Sequence, residues 1–267
     1  MPAPEPRASR ELLADEMSVL LHDAVEGVAL PEPLRQRLFA RVARSAAAAL
    51  RMHTNRRGDH MPEVLAAGVL ARELYRAAHP ALRPGEPLRS RLVELAPGAT
   101  WTPEPGAWQR EWLLLDGSAM LGDTALHRHD FLLQPAAAPR EAVRSAAGAQ
   151  LLLREAPALA GADPVLQRGA GAAWGAYGPG IERRVMWQRD GQAAMLYRTE
   201  PGAAVPRHGH RHDEECLMLA GDIFLDDVLL RPLDYQLAPA GTHHDSVATD
   251  TGLLLYAHGD LDLDLQP

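Results

Sequence analysis

Residues 207–221 read RHGHRHDEECLMLAG. Histidines at alternate positions, His208, His210 and His212, run into adjacent carboxylates, then Cys216, then an apolar stretch that ends at Gly221. In an extended segment residues two apart share a face. His208, His210, Glu214 and Cys216 therefore share one face of a strand, and Glu215, Leu217 and Leu219 take the other. Two imidazoles and a carboxylate on the inner face of a barrel are costly to bury without a partner. A divalent cation is an economical one. PAGTHH at 239–244 offers a further ligand from a neighbouring strand. The competing reading is an exposed, polar, histidine-rich turn.

Outward from this stretch, the chain repeats itself. At an offset of 104 residues Pro97-Gly98-Ala99 falls on Pro201-Gly202-Ala203, Glu111 on Glu215, Gly117 on Gly221, Asp130 on Asp234, Pro135-Ala136 on Pro239-Ala240 and Gly148 on Gly252. Short alternating runs such as LRSRLVEL and AQLLLREA lie between turn signals, the texture of a β-sandwich or barrel. The expectation is one β-domain present twice, over 61–158 and 159–267, after a helical N-terminal extension over 1–60. In that extension ELLADEMSVLLHDAV places Leu13, Met17, Leu20, Leu21 and Ala24 at helical spacing. PEPLRQRLFARVARSAAAALRM follows, with Pro31 and Pro33 at a helix start and Leu34, Leu38, Val42 and Leu50 on one face. Arg35, Arg37, Arg41 and Arg44 occupy much of the remainder, either as a solvated face or as a surface for an acidic partner. HTNRRGDHMP reads as a loop or linker.

Composition narrows the function classes. A formal charge of −8 argues against a general nucleic-acid or anionic-membrane binder. Cys216 is the only cysteine, so neither an intramolecular disulfide nor a cysteine-built zinc site can form. No segment approaches the ~18 uninterrupted apolar residues of a membrane span, and MPAPEPRASREL lacks the apolar core of a signal peptide. A cytoplasmic protein is expected. All 27 basic residues are arginine, which reads as coding bias rather than function.

The spacing Gly202-x5-His208-x-His210-x3-Glu214-x6-Gly221 resembles the first motif of the cupin superfamily. Pro239-Ala240-Gly241-x2-His244 resembles most of the second, with Leu233 where its leading glycine usually stands and Ala248 where its asparagine does. The resemblance implies a mainly β fold of two tandem double-stranded β-helix (jelly-roll) barrels. It also implies that His208, His210, Glu214 and His244 are metal ligands, with His243 the near alternative to His244. Such a set suits Zn, Fe, Ni or Mn, and raw affinity does not choose among them. On an octahedral ion it leaves two positions open, and on tetrahedral zinc none. Cys216 is either a redox-responsive thiol near the metal or a small buried hydrophobe. At the repeat offset the ligands map to Glu104, Gly106, Arg110 and Arg140, so the first copy cannot hold the metal. It is expected to be a degenerate structural copy or an anion pocket near Trp101, Trp108 and Trp112.

WGAYGPGIERRVMWQRDGQAAMLYRTEPGAAVPRHGHRHDEECLMLAGDIFLDD is similar to the cupin body of the ChrR-like cupins, a group that includes anti-sigma factors with a helical N-terminal region. The chain departs from that group in lacking the HxxxCxxC motif of its zinc-binding anti-sigma domain. The resemblance implies a regulatory or stress-sensing protein with one metal site and a protein partner, a sigma factor, bound through the N-terminal helices. The alternative is a metal-dependent dioxygenase for a small chelating substrate of diketone or quercetin type, bound in the cupin barrel, with Glu214 as the catalytic base. A storage or structural bicupin is a third reading. Cupins are often homodimers.

Overall fold

The computed structural model describes residues 31–49, 52–59, 61–77, 88–106, 108–158 and 162–265. The chain divides into two compact units, 1–46 and 47–267, each described by itself. The expected helix over residues 11–25 lies outside the described residues. The second expected helix forms over Glu32–Ala49, and the Pro31 carbonyl accepts from the Leu34 and Arg35 amides at its start. Glu32 in its first turn pairs with Arg35 at 2.8 Å and accepts from Gln36, charges placed to suit a helix N-terminus. Leu38 and Phe39 are exposed.

The second unit is built almost wholly of strands, in two large antiparallel sheets laid out on one plan. One sheet runs Val165–Gln167, Phe131–Gln134, Trp108–Leu121, Ala149–Pro157, Leu88–Leu95, Val69–Ala77, Glu63–Ala66. The other runs His53–Asn55, Tyr235–Ala238, Glu214–Gly221, Leu253–Asp260, Gln192–Thr199, Ile181–Arg189, Gly175–Gly178. Smaller sheets face each of these, and the space between holds an apolar core. In the first half it contains Val93, Trp101, Trp112, Leu114, Leu151 and Leu153; in the second, Cys216, Met218, Ile223, Leu225, Leu255 and Ala257. The opposite faces of the large sheets bury a third core jointly, Leu92, Leu113, Phe131 and Leu152 from one and Leu196, Leu217, Tyr235 and Tyr256 from the other. The strand parity read from residues 208–219 holds: Cys216 and Met218 line the interior, and Leu217 and Leu219 face the other half. This mainly β jelly-roll fold is the one expected.

The outermost strands of the two sheets are exchanged. His53–Asn55, in the segment that reads as a linker, pairs with Leu237–Tyr235 of the second half. Val165–Gln167 pairs in the same register with Leu133–Phe131 of the first. The equivalence extends to side chains. Arg56 reaches Asp234 at 3.0 Å and the Leu229 carbonyl, and the Arg57 amide donates to Asp234 at 2.8 Å. Arg168 reaches Asp130 at 2.8 Å and the Ala125 carbonyl at 2.6 Å, and the Gly169 amide donates to Asp130 at 2.6 Å. The offset here is 112 rather than 104 because the hairpin after Ala77 is eight residues longer than the one at Asp190-Gly191. That loop length hid the correspondence from comparison at one fixed offset.

The terminal glycine of the first motif has a steric reason. Gly221 has φ +78, and a Cβ there would lie 1.9 Å from the Gly252 carbonyl oxygen; Gly117, its counterpart, meets Gly148 the same way. Leu233, in place of the second motif's glycine, has φ +70, and His129, its counterpart, φ +64. The departure is therefore chemical and not conformational, since both halves hold a non-glycine residue in the left-handed region.

A charged cluster lies between the halves. Arg154 donates to Glu111 at 3.0 Å and to Glu215 at 2.5 Å; Tyr235 donates to Glu215 at 2.8 Å, Ser90 donates to it as well, and His258 lies 3.5 Å from Glu111. At the repeat offset Arg154 corresponds to His258 and Glu111 to Glu215, so the cross-pairs Arg154–Glu215 and His258–Glu111 are one interaction written twice.

Candidate metal centre

Short backbone pairings assemble the site. His208 pairs with His244 across one ladder and with Leu265 across another, so the Leu-Asp run near the end of the sequence closes one edge of the site. The His210 amide donates to the Thr242 carbonyl at 3.0 Å, and the Gly241 amide to the His210 carbonyl at 2.7 Å. Glu214 opens its strand against Ala238. Beside it Gly259 leaves room that a Cβ would fill at 3.1 Å from the Glu214 side chain.

His208, His210 and His244 are buried, and the Glu214 side chain is 12% exposed. The ligating atoms of His208, His210 and Glu214 lie within 4.8 Å of one another. The His244 ring centroid is 5.0 Å from that of His210 and 5.6 Å from that of His208, which lie 5.4 Å apart. The structure therefore brings all four expected residues together. His243 instead lies 3.6 Å from Asp245, so of the two neighbours it is His244 whose ring stands with the others.

Hydrogen bonds fix which nitrogen each imidazole presents. His208 Nδ1 lies 3.1 Å from the Pro206 carbonyl and His244 Nδ1 3.1 Å from the Asp226 carboxylate, both acceptors only. His210 Nδ1 lies 2.9 Å from the Thr242 hydroxyl, which spends its own proton on the Pro239 carbonyl at 2.6 Å and so accepts from the ring. With Nδ1 protonated in all three, Nε2 carries the lone pair. His210 Nε2 is buried without a hydrogen-bond partner, 3.8 Å from Glu214 Oε1. Burial, with His244 and His208 adding to it against the pull of Glu214, pushes the His210 pKa down to about 4. Neutral imidazoles with free Nε2 lone pairs beside a carboxylate fit a divalent transition metal.

Asp226 was not legible in the motif. It also accepts from the Asp245 and Ser246 amides, and His244 draws its carboxyl below the usual range against the effect of burial. It is a carboxylate that holds the His244 ring in one tautomer from outside the cluster. Asp226→Asn is expected to weaken metal affinity about 10–100-fold while leaving the four ligands in place, measured by competition with a chromogenic chelator.

The Cys216 thiol is buried 3.6 Å from Glu214 Oε1, and burial, with that carboxylate, pushes its pKa well up. Of the two readings, its place in the apolar core suits the small buried hydrophobe. His212 sits in the turn, half-exposed, with Nδ1 2.6 Å from Asp260. In the first half, Glu104 and Arg140 are exposed and only Arg110 of the four counterpart positions carries a buried side chain. The interior carboxylate there is Glu155, which accepts from Arg110 at 3.1 Å and from Arg91 at 2.8 Å. A cavity of about 80 Å³ opens beside the site, lined by His208, Glu214 and Cys216 and by apolar groups including Leu225, Val247 and Leu255.

A jelly roll of this kind, with buried histidines beside a glutamate, can be compared with known proteins. Residues 163–262, a little over a third of the chain, match the family of ChrR cupin-like domains. No curated protein matches it. Among solved structures it is similar to a candidate dioxygenase of Nostoc punctiforme (TM-score 0.61, 14% identity, 79% of this chain and 84% of that one). It is also similar to Ylba of E. coli (TM-score 0.61, 14% identity, 84% and 99%). A third is Bacillus subtilis oxalate decarboxylase (TM-score 0.55, 16% identity, 78% and 76%). At these identities the likeness is one of fold.

Proposed function

We propose that this chain is a ChrR-like bicupin with a single metal centre, in which the cupin over 159–267 senses a small ligand or oxidant. In this reading His208, His210, Glu214 and His244 hold one divalent transition metal, and the cupin over 61–158 is a metal-free partner. The observation that carries it is the set of buried imidazoles whose Nδ1 atoms are all engaged outward, within a segment of the ChrR cupin-like family. When bound, the metal supplies Lewis acidity and exchangeable coordination positions. The chain's own residues do the rest. The apolar wall of the small cavity excludes bulky and charged ligands, and Glu214 sits where it can take a proton from what enters. The helical region, with Leu38 and Phe39 exposed, carries the response to a protein partner of sigma-factor type.

The cavity beside His208 and Glu214 also favours a second reading, a metal-dependent dioxygenase acting on a small chelating substrate. One experiment separates the two: metal analysis and spectroscopy on protein purified without added metal or chelator, beside His208→Ala. One four-coordinate zinc, lost in the variant, is the expected result for a sensor. Stoichiometric iron, nickel or manganese with exchangeable water favours the enzyme, and metal retained in full by the variant overturns both.

A further inference from the structure

The interior of the first half buries two guanidiniums against one carboxylate. Arg91 and Arg110 both donate to Glu155, at 2.8 and 3.1 Å, and all three are buried, Arg91 at 1% exposure. They lie on the strand faces that carry Val93, Trp112 and Leu153, inside that half's core. Two guanidiniums, always charged, against one carboxylate leave a net charge of +1. Nearby charges act in both directions: Arg89, itself paired with Glu73 at 3.1 Å, adds to the positive field, and the exposed Glu104 carboxylate opposes it, while the Glu104 carbonyl accepts from Arg110 at 2.6 Å.

The hydrogen-bond inventory has the same sign. Arg91 Nε and Nη1 and Trp108 Nε1 are buried with no partner, and every one is a donor. They are neighbours through shared contacts. Arg110 lies over the Trp108 ring at 5.9 Å, Arg91 over Trp101 at 5.6 Å, and the two arginines meet at Glu155. The Trp108 ring fills the space into which a side chain at Gly106 would project, 2.2 Å from an ideal Cβ, and Gly106 is the counterpart of ligand His210. Trp108 thus stands at the counterpart of a candidate metal ligand, and Arg91 is joined to it through Glu155 and Arg110. A buried guanidinium left short of acceptors costs several kcal/mol in general, and a water molecule would bring no charge.

We infer that the first half binds a small monovalent anion, of formate or halide size, on Arg91 and Trp108 Nε1. Its metal site has been replaced by a site of opposite charge preference. The inference is independent of which metal, or which activity, belongs to the second half.

The test is a titration of the full chain with sodium formate, acetate and bromide at constant ionic strength, read by melting temperature and calorimetry. Arg91→Met and Trp108→Phe are compared with wild type; methionine is the residue at the counterpart position, Met195. Wild type is expected to show saturable binding of at least one anion. Trp108→Phe, which keeps the ring and loses the N–H, is expected to bind about tenfold more weakly, and Arg91→Met to show no saturable response. Equal responses in wild type and Trp108→Phe, or no saturable response in wild type, would overturn it. If Arg91→Met does not fold, crystals of wild type soaked in bromide decide: an anomalous peak beside Arg91 and Trp108 supports the site, and no peak there rejects it.

Discussion

Arg154→Met is expected to lower folding stability by about 3–5 kcal/mol, the usual cost of removing one partner from a buried ion pair. Glu111 and Glu215, both 2% exposed, would then share a dry interior without their common counter-ion. The side-chain volume is nearly kept, so the loss is electrostatic rather than a cavity. For a domain of this size the drop corresponds to roughly 6–20 °C in melting temperature, read by urea and thermal denaturation at neutral pH. Adding Glu215→Gln should restore part of it, because the second change removes the stranded charge. Burial alone would raise the Glu111 pKa, but His258 and Arg154 outweigh that and hold it down to about 2. A depressed folded pKa stabilises the protein above the ordinary carboxylate value, and that contribution is lost as pH falls toward about 2. A loss below about 1 kcal/mol in the single variant would mean that water reaches the network and screens it.

His210→Ala is expected to abolish stoichiometric metal binding. The ring stands 5.0 Å from His244 and 5.4 Å from His208, and its unpartnered Nε2 is the site's most exacting donor. A metal held a thousandfold above its dissociation constant contributes about 4.1 kcal/mol to stability. Chelation should therefore lower the melting temperature of wild type clearly and leave that of His210→Ala unmoved. His243→Ala and His212→Ala serve as sequence-adjacent controls, since their rings are engaged by Asp245 and Asp260 away from the site. Both should keep one equivalent of metal. Elemental analysis of the three variants side by side checks this, and a full equivalent retained by His210→Ala would end the assignment.

The clustering of His208, His210, Glu214 and His244 was legible because strand parity and motif spacing are properties of the chain alone. Alternation placed His208, His210, Glu214 and Cys216 on one face, and the repeat showed which residues of the first half had lost the chemistry. What parity cannot say is which faces meet. Glu111, Arg154, Glu215 and His258 were visible as aligned positions, but their pairing depends on two large sheets stacking with those faces together. Asp226 escaped for a related reason. It sits in a turn at φ +56 and reaches His244 only through the fold. Of the first-half positions aligned with the metal motif, only Arg110 supplies an interior charge. The others are Arg91 and Glu155, whose counterparts in the second half are Met195 and Gly259.

The exchanged outer strands impose an order of events on the growing chain. His53–Asn55 is made early, yet the strand it pairs with, Tyr235–Ala238, follows about 180 residues later, roughly 10–40 s at ordinary rates of synthesis. Until then its backbone is an unpaired edge that any passing strand could capture. Arg56 and Arg57 follow it directly, and Asp59 comes two residues further on. Such a charged flank discourages capture by a stranger and finds its own neutralising carboxylate only when Asp234 arrives. A nascent chain stopped at the end of the first half would therefore carry a strand with nowhere to dock and a sheet short of its last member.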